Sequence, residues 1–236
     1  MQLFYNPNIT KESSEIIFDK EESRHIVKVL RKIEGDLLNL TNGKGYFFEA
    51  KLISTDPKRC IAVLIKSKKQ PPLPYSLHLA VAPTKLNDRY EWFLEKATEI
   101  GITEITPIIC DHSERRIVKK ERYDKILQSA MKQSLKAYLP KLNQAVSFKE
   151  FISSNSNHGI KLIAHCYKSE KQTIKSAIGS KRSILILIGP EGDFSSEEII
   201  TSKNHAFTAV SLGNNRLRTE TAALVACHSV YFIVNN

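Results

Sequence analysis

The chain has only four cysteines among 236 residues, Cys60, Cys110, Cys166 and Cys227, set far apart with no Cys-x-x-Cys pair. That spacing excludes a disulfide framework and the usual zinc sites, and buried free thiols are expected. None of the seven histidines stands in a His-Glu-x-x-His array, so no metal is expected. Long apolar runs are also missing, and no stretch approaches the roughly 20 residues that cross a bilayer. The opening MQLFYNPNITKESSEIIF has no basic segment ahead of a continuous apolar one, so a cytoplasmic protein with no membrane partner is expected. The absence of Gly-x-Gly-x-x-Gly and of Gly-Lys-Ser/Thr removes the common nucleotide-phosphate loops. No internal repeat or low-complexity tract interrupts the chain.

Positive charge is in surplus. Lysine and arginine number 35 against 25 aspartates and glutamates, a net +10. The surplus is 13 against 9 in residues 1–70, 13 against 10 in 71–160 and 9 against 6 in 161–236. It is therefore spread over a folded surface and not held in a tail, which suits an acidic partner such as nucleic acid. At 42% hydrophobic, the chain can bury the core of one large domain or two modest ones.

Residues 1–70 are β-rich, with short apolar or alternating runs such as DLLNL, GYFFEAKLI and CIAVLIK broken by NGKG and DPK turns. One helical segment, EESRHIVKVLRK, is inserted among them. KSKKQPPLPY then places three prolines within four positions, which no strand or helix continues through, and a domain boundary is expected there. From residue 71 to 236 the pattern alternates. SLHLAVAP, ITEITPIIC, IKLIAHCY, SILILIGP and FTAVSLG are strand-like. Between them DRYEWFLEKATEIG, closed by Gly101, and RYDKILQSAMKQSLKAYL, stopped by Pro140, are helical. Nearly all-apolar strands alternating with helices imply an α/β domain with a parallel sheet covered on both faces. Ligands of such sheets sit on the loops after the strands, here AHCY, GPEGDF and LGNNRLRTE.

In ILILIGPEGDFSSEEI, Gly189 and Gly192 follow a buried strand, and Ser195 or Ser196 is placed to cap a helix. The glycines permit close approach of a ligand, or simply a tight turn, and the acids Glu191 and Asp193 disfavour phosphate. In SLGNNRLRTETAALVA, Arg216 and Arg218 stand just ahead of a helix N-terminus at Thr219. They form an anion site, or pair with Glu220 and solvent; both readings stand.

Together GPEGDFSSEE and LGNNRLRTETAA resemble the SPOUT class of methyltransferases and, within it, the RsmE family, which methylates N3 of a uridine in small-subunit ribosomal RNA. HIVKVLRKIEGD, EWFLEKATEIGITEITPI and AMKQSLKAYLP add three further motifs in the same order, so the resemblance spans nearly the whole chain. Two departures stand out. Asn215 and Arg216 replace the usual arginine and aliphatic residue, and Leu135 and Lys136 replace the glycine and arginine of a Gln-Ser-Gly-Arg stretch.

The resemblance implies a PUA-like β-barrel RNA-binding domain at 1–70 and a trefoil-knotted SPOUT domain at 71–236. It implies S-adenosylmethionine as cofactor, held by Ala164 and His165, by Leu187, Gly189, Pro190 and Gly192, and by Leu212, Gly213, Asn214, Arg216 and Leu217. Arg218 is expected to stabilise charge on the uracil, with Glu191 or Glu220 assisting proton removal or holding Arg218. His25, Lys28 and Arg31, spaced to share a helix face, are expected to meet RNA, as are Arg115, Arg116 and Lys136. Partners implied are 16S ribosomal RNA, within the small ribosomal subunit, and a second copy of the chain through the C-terminal helix. Two other readings share these features: a SPOUT enzyme acting on a ribose 2'-hydroxyl or on transfer RNA, and a non-catalytic RNA-binding assembly factor.

Overall fold

The computed structural model describes residues 2–154, 159–180 and 182–235. They form two compact units, one reaching to Pro72 and including Met131–Leu139, the other made of Leu73–Ala130 and the chain from Pro140 onward.

The first unit holds β1 (Leu3–Tyr5), β2 (Glu15–Ile17), α1 (Lys20–Arg24), β3 (Leu37–Thr41), β4 (Tyr46–Ser54) and β5 (Ile61–Lys69). Its sheet runs β1-β3-β4-β5-β2, antiparallel except where β1 lies parallel to β3. Alternation along β4 turns Phe48, Ala50 and Leu52 inward, onto Phe4, Phe18, Ile26 and Leu40. Register shifts between β4 and β5 at Glu49/Ala50 and Leu52/Ser54 mark bulges, which bend a strand and increase its twist. Asp19 caps α1 by accepting the Glu22 N–H at 2.8 Å. The helix then widens into a π turn over His25–Val29 and ends, and Arg31 lies beyond it with φ +52°.

Residues 131–139 carry a correction. The helix expected to run to Pro140 stops at Gln133, because Leu135 turns the chain with φ +53°. The segment that follows lies over the Gly43–Gly45 turn. Gly45 N–H donates to Ala137 O at 2.8 Å, Leu139 N–H to Gly43 O at 2.9 Å, and Ala137 N–H to Gln70 Oε1 at 2.8 Å. Gly45 is obligatory here, since a Cβ would stand 2.5 Å from the Tyr138 ring.

The second unit comprises β6 (Ser76–Val81), α2 (Asn87–Ile100), β7 (Glu104–Ile109), α3 (Lys120–Gln133, its last residues passing to the first unit), β8 (Lys141–Leu142), β9 (Val146–Ser147), α4 (Phe148–Ser154), β10 (Ile160–Ala164), β11 (Gln172–Thr173), α5 (Ile174–Ile178), β12 (Ser183–Ile188), α6 (Ser196–Asn204), β13 (Thr208–Ser211) and α7 (Thr219–Asn235). Every strand pairing is parallel, in the order β11-β13-β10-β12-β6-β7-β8, with β9 also on β7. The sheet interior explains the apolar runs: Ile184 to Ile188 are all buried. One face packs on Phe148, Phe151, Phe194 and Phe207, while α7 lies against α2, β6 and β12. Strand order places the carboxyl ends of β13, β10 and β12 side by side, so three loops leave the sheet at one place.

Candidate active site

Those three loops enclose a cleft of about 690 Å³. Its floor is the strand ends Ile188 and Val210 with Ala222 of α7, and its walls are the loops after β10, β12 and β13.

The loop after β10 contributes Ala164, His165 and Cys166. Lys171 reaches back to donate to His165 O at 2.7 Å, which holds the loop closed. Burial first, and then the Lys171 ammonium, depress the His165 pKa, so its imidazole is kept neutral; its Nδ1 is buried without a partner among the described residues. Cys166 is exposed, unlike the other three cysteines, and thus departs from the expected buried state.

The loop after β12 contributes Gly189, Pro190, Glu191 and Asp193. Asp193 N–H closes a turn onto Pro190 O at 2.9 Å, and Asp193 takes φ +63°. Its carboxylate accepts the Phe194 N–H at 2.8 Å and, across the cleft wall, the Cys166 N–H at 2.7 Å. Glu191 accepts the Lys85 N–H at 2.9 Å. His112 Nδ1, 3.1 Å from both the Gly192 and Asp193 carbonyls, braces the turn from behind. Helix α6 starts with a capping box between Ser195 and Glu198, and the Glu198 carboxylate also accepts the Asp111 N–H at 3.0 Å. Burial pushes the Glu198 pKa up against these stabilising bonds.

The loop after β13 contributes Leu212, Gly213, Asn214, Asn215, Arg216, Leu217 and Arg218. Gly213 needs its positive φ of +123°, and nothing lies within 4 Å of where its Cβ would be. Thr219 donates its hydroxyl to Gly189 O at 3.0 Å, joining this loop to the one after β12. Arg216 and Arg218 are exposed, and among the described residues their guanidinium groups make no hydrogen bond or ion pair. Of the two readings open for them, pairing with Glu220 does not occur.

Most of the expected cofactor residues therefore meet in one cleft. Leu187 does not line it, being fully buried within β12, and Gly192 turns away against His112 Cβ. Glu220 also falls outside: the first turn of α7 buries it and aims its carboxylate at Arg89 Nε, 4.0 Å away. Lys171, Asp193, Val210 and Ala222 were missed. Only Asp193 had a local signal, a carboxylate in a glycine-rich turn.

The expected RNA contacts divide. His25 is half-buried with its ring 6.1 Å from that of Phe4, Lys28 is exposed on the π turn, and Arg31 lies past the helix end, so the three do not share a regular helix face. Arg115 is committed to its own fold: Nε and Nη2 donate to Thr84 O at 3.0 Å and Lys85 O at 2.9 Å. Arg116 donates to Asp111 O at 3.0 Å. Lys136 is half-buried in the segment that belongs to the first unit. Among the described residues there is no metal-holding cluster of His, Cys, Asp or Glu, and no helix long and apolar enough to cross a membrane.

Known proteins share this arrangement. Residues 71–231 match the family model for an RNA methyltransferase domain, and 18–65 match that for an RNA methyltransferase PUA domain. The chain is 34% identical over 93% of its length to ribosomal RNA small subunit methyltransferase E of Rickettsia conorii, covering 90% of that protein. A probable rRNA-methyltransferase from Porphyromonas gingivalis superposes with a TM-score of 0.92 at 39% identity, over 100% of this chain and 99% of that one. A ribosomal RNA small subunit methyltransferase E from Neisseria gonorrhoeae, solved bound to S-adenosyl methionine, superposes with a TM-score of 0.87 at 26% identity, over 97% and 96% of the two chains.

Proposed function

Since the chain belongs to the RNA methyltransferase family and is an S-adenosylmethionine-dependent ribosomal RNA methyltransferase, we propose that its acceptor is N3 of one uridine in 16S ribosomal RNA. The cleft suits the cofactor on its own terms. Its volume falls within the roughly 300–1,000 Å³ of small-molecule sites. Its polar lining combines backbone groups and the Glu191 and Asp193 carboxylates with the cationic Lys171, Arg216 and Arg218, apolar strand ends lie beneath, and the open side of Gly213 admits close approach. The bound cofactor supplies an already activated methyl group on a sulfonium centre.

What the chain must supply is position and charge. The single observation that carries the proposal is the pair of uncommitted arginines at the cleft rim, Arg216 and Arg218. Uridine N3 reacts as its anion, whose charge spreads to the flanking carbonyl oxygens, and a free guanidinium offers paired donors to such oxygens. Arg218 takes that role. Arg216, one position beyond the usual arginine, binds the nucleotide phosphate from the same loop. We assign the N3 proton to Glu191, a reading supported by its lining the cleft with one oxygen held by Lys85 N–H. Glu220 is placed to orient α7 through Arg89.

Lys28 and Arg31 on the first unit grip the RNA, and the target base leaves its stack to enter the cleft. A homodimer through α7 fits the exposed Tyr231 and Phe232 on that helix, and the trefoil knot of the SPOUT class accounts for a sheet whose last long strand, β13, lies beyond β10. A ribosomal substrate supports a cytoplasmic location. Mass mapping of 16S RNA from a strain lacking the gene tests the proposal: one uridine loses a base methyl. A missing ribose methyl, or a change in transfer RNA alone, refutes it.

A further inference from the structure

The cleft holds charges of both signs that are not spent on each other. Glu191 and Asp193 stand on the loop after β12, and Arg216 and Arg218 on the loop after β13. Among the described residues none of the four makes a salt bridge within the protein. Asp193 is the most constrained of them. It takes φ +63°, a conformation that strains a non-glycine residue, aspartate and asparagine least. Both its carboxylate oxygens are fixed by backbone N–H groups, of Phe194 at 2.8 Å and of Cys166 at 2.7 Å. Two backbone donors fix a carboxylate in place and leave its negative charge unneutralised. A glycine would satisfy the turn without strain but would give up the tie to Cys166, so the carboxylate has that structural use and also brings an unneutralised charge to the cleft wall.

We propose that Asp193 is a specificity-determining residue that faces the sulfonium of S-adenosylmethionine and makes the cleft favour the charged methyl donor over its neutral demethylated product. The inference rests on the cofactor reading above. The amino-acid end of the cofactor carries its ammonium beside its own carboxylate, so one more fixed anion gains little there. The adenine is neutral. The sulfonium alone has a permanent positive charge with no counter-ion, and transfer of the methyl group abolishes it, because the C–S bond pair returns to sulfur as the methyl carbon bonds to N3. An anion held at that point strengthens donor binding and lets product leave.

The test compares the wild type with Asp193→Asn and Asp193→Gly by isothermal titration with S-adenosylmethionine, S-adenosylhomocysteine and methylthioadenosine. Asparagine keeps the positive φ, removes the charge and, having one acceptor oxygen, retains one of the two backbone bonds; glycine removes both strain and side chain, and serves if the asparagine variant melts early. In both variants the ratio of donor affinity to product affinity falls about tenfold. In turnover assays KM for the donor rises while kcat changes less than about threefold. Equal weakening of all three ligands would make Asp193 a structural staple and overturn the proposal. Weakening of the two amino-acid-bearing ligands but not methylthioadenosine would place it at the ammonium and overturn it too, as would unchanged affinities. A wild type that fails to bind S-adenosylmethionine would sink the cofactor reading itself.

Discussion

Among the described residues the hydroxyl of Thr219 makes the one side-chain bond between the loops after β12 and β13, and its removal shows how far the cleft depends on that tie. Thr219 is 5% exposed and donates to Gly189 O at 3.0 Å. Thr219→Val keeps the shape and deletes the donor. A neutral hydrogen bond contributes about 1 kcal/mol net, and leaving the buried Gly189 carbonyl without a partner adds about 1–3 kcal/mol. A total of about 2–4 kcal/mol lowers Tm by about 4–16 °C, at about 2–4 °C per kcal/mol for a domain of this size. Thr219→Ser, which retains the donor, loses less than half as much. Urea denaturation and thermal melts at one fixed protein concentration measure both variants, and titration with S-adenosylmethionine reads the cleft directly, with Thr219→Val weakened about tenfold. Melts within about 1 °C of wild type for Thr219→Val would refute the reasoning, and so would equal losses in the two variants.

Other consequences are open to measurement. Arg218→Ala keeps its fold and its cofactor affinity but loses about 100-fold or more in kcat, the scale of deleting one charge-stabilising donor; wild-type turnover would remove Arg218 from the chemistry. Arg115→Ala loses about 1–3 kcal/mol of stability, because its guanidinium holds the Thr84 and Lys85 carbonyls, while the salt dependence of RNA binding keeps its slope. Leu135→Gly relieves a left-handed leucine at φ +53°, a gain of about 1–2 kcal/mol offset by about 0.5–1 kcal/mol of glycine entropy, so it unfolds at higher urea than wild type. His165 has its pKa depressed in the fold, so below the unfolded value near 6.5 the unfolded chain binds the extra proton. Stability therefore falls as pH drops from about 6.5 toward the lowered folded value, and His165→Asn flattens that slope.

The cleft was legible in the sequence where its signals are local. Gly189, Pro190, Gly213 and Arg218 sit in loops that follow apolar strands, and strand-then-glycine is a pattern that a linear reading detects. Lys171 and Ala222 carry no such mark; they enter the cleft because β11 pairs with β13 and α7 starts beside Gly189, contacts set by sheet order. Glu220 was misplaced for the same reason, since a helix's first turn fixes direction only once α7 has packed on α2. Arg115 and Arg116 belonged to a basic run whose carbonyl partners are distant or irregular in sequence. The glycine-to-leucine change at 135 was visible as a departure, but its meaning needed the φ angle. The π turn at His25–Val29 left no trace in the apolar spacing, which fits an α-helix equally well.

The return of residues 131–139 to the first unit alters what a cut means. The backbone crosses between the units three times, near Pro72, Ala130 and Leu139, and so a protease nick in the proline-rich stretch leaves residues 131–139 tethered at both ends while the rest of the first unit stays attached to them only through non-covalent contacts. A fragment beginning at residue 71 would carry Ala137 and Leu139 stripped of Gly45 and Gly43, with Tyr138 facing solvent, while the complementary piece would show a bare glycine turn. Neither half is a free-standing module that could be traded between proteins at one seam, and any rearrangement of the gene that moved one unit would have to preserve an insertion inside the other.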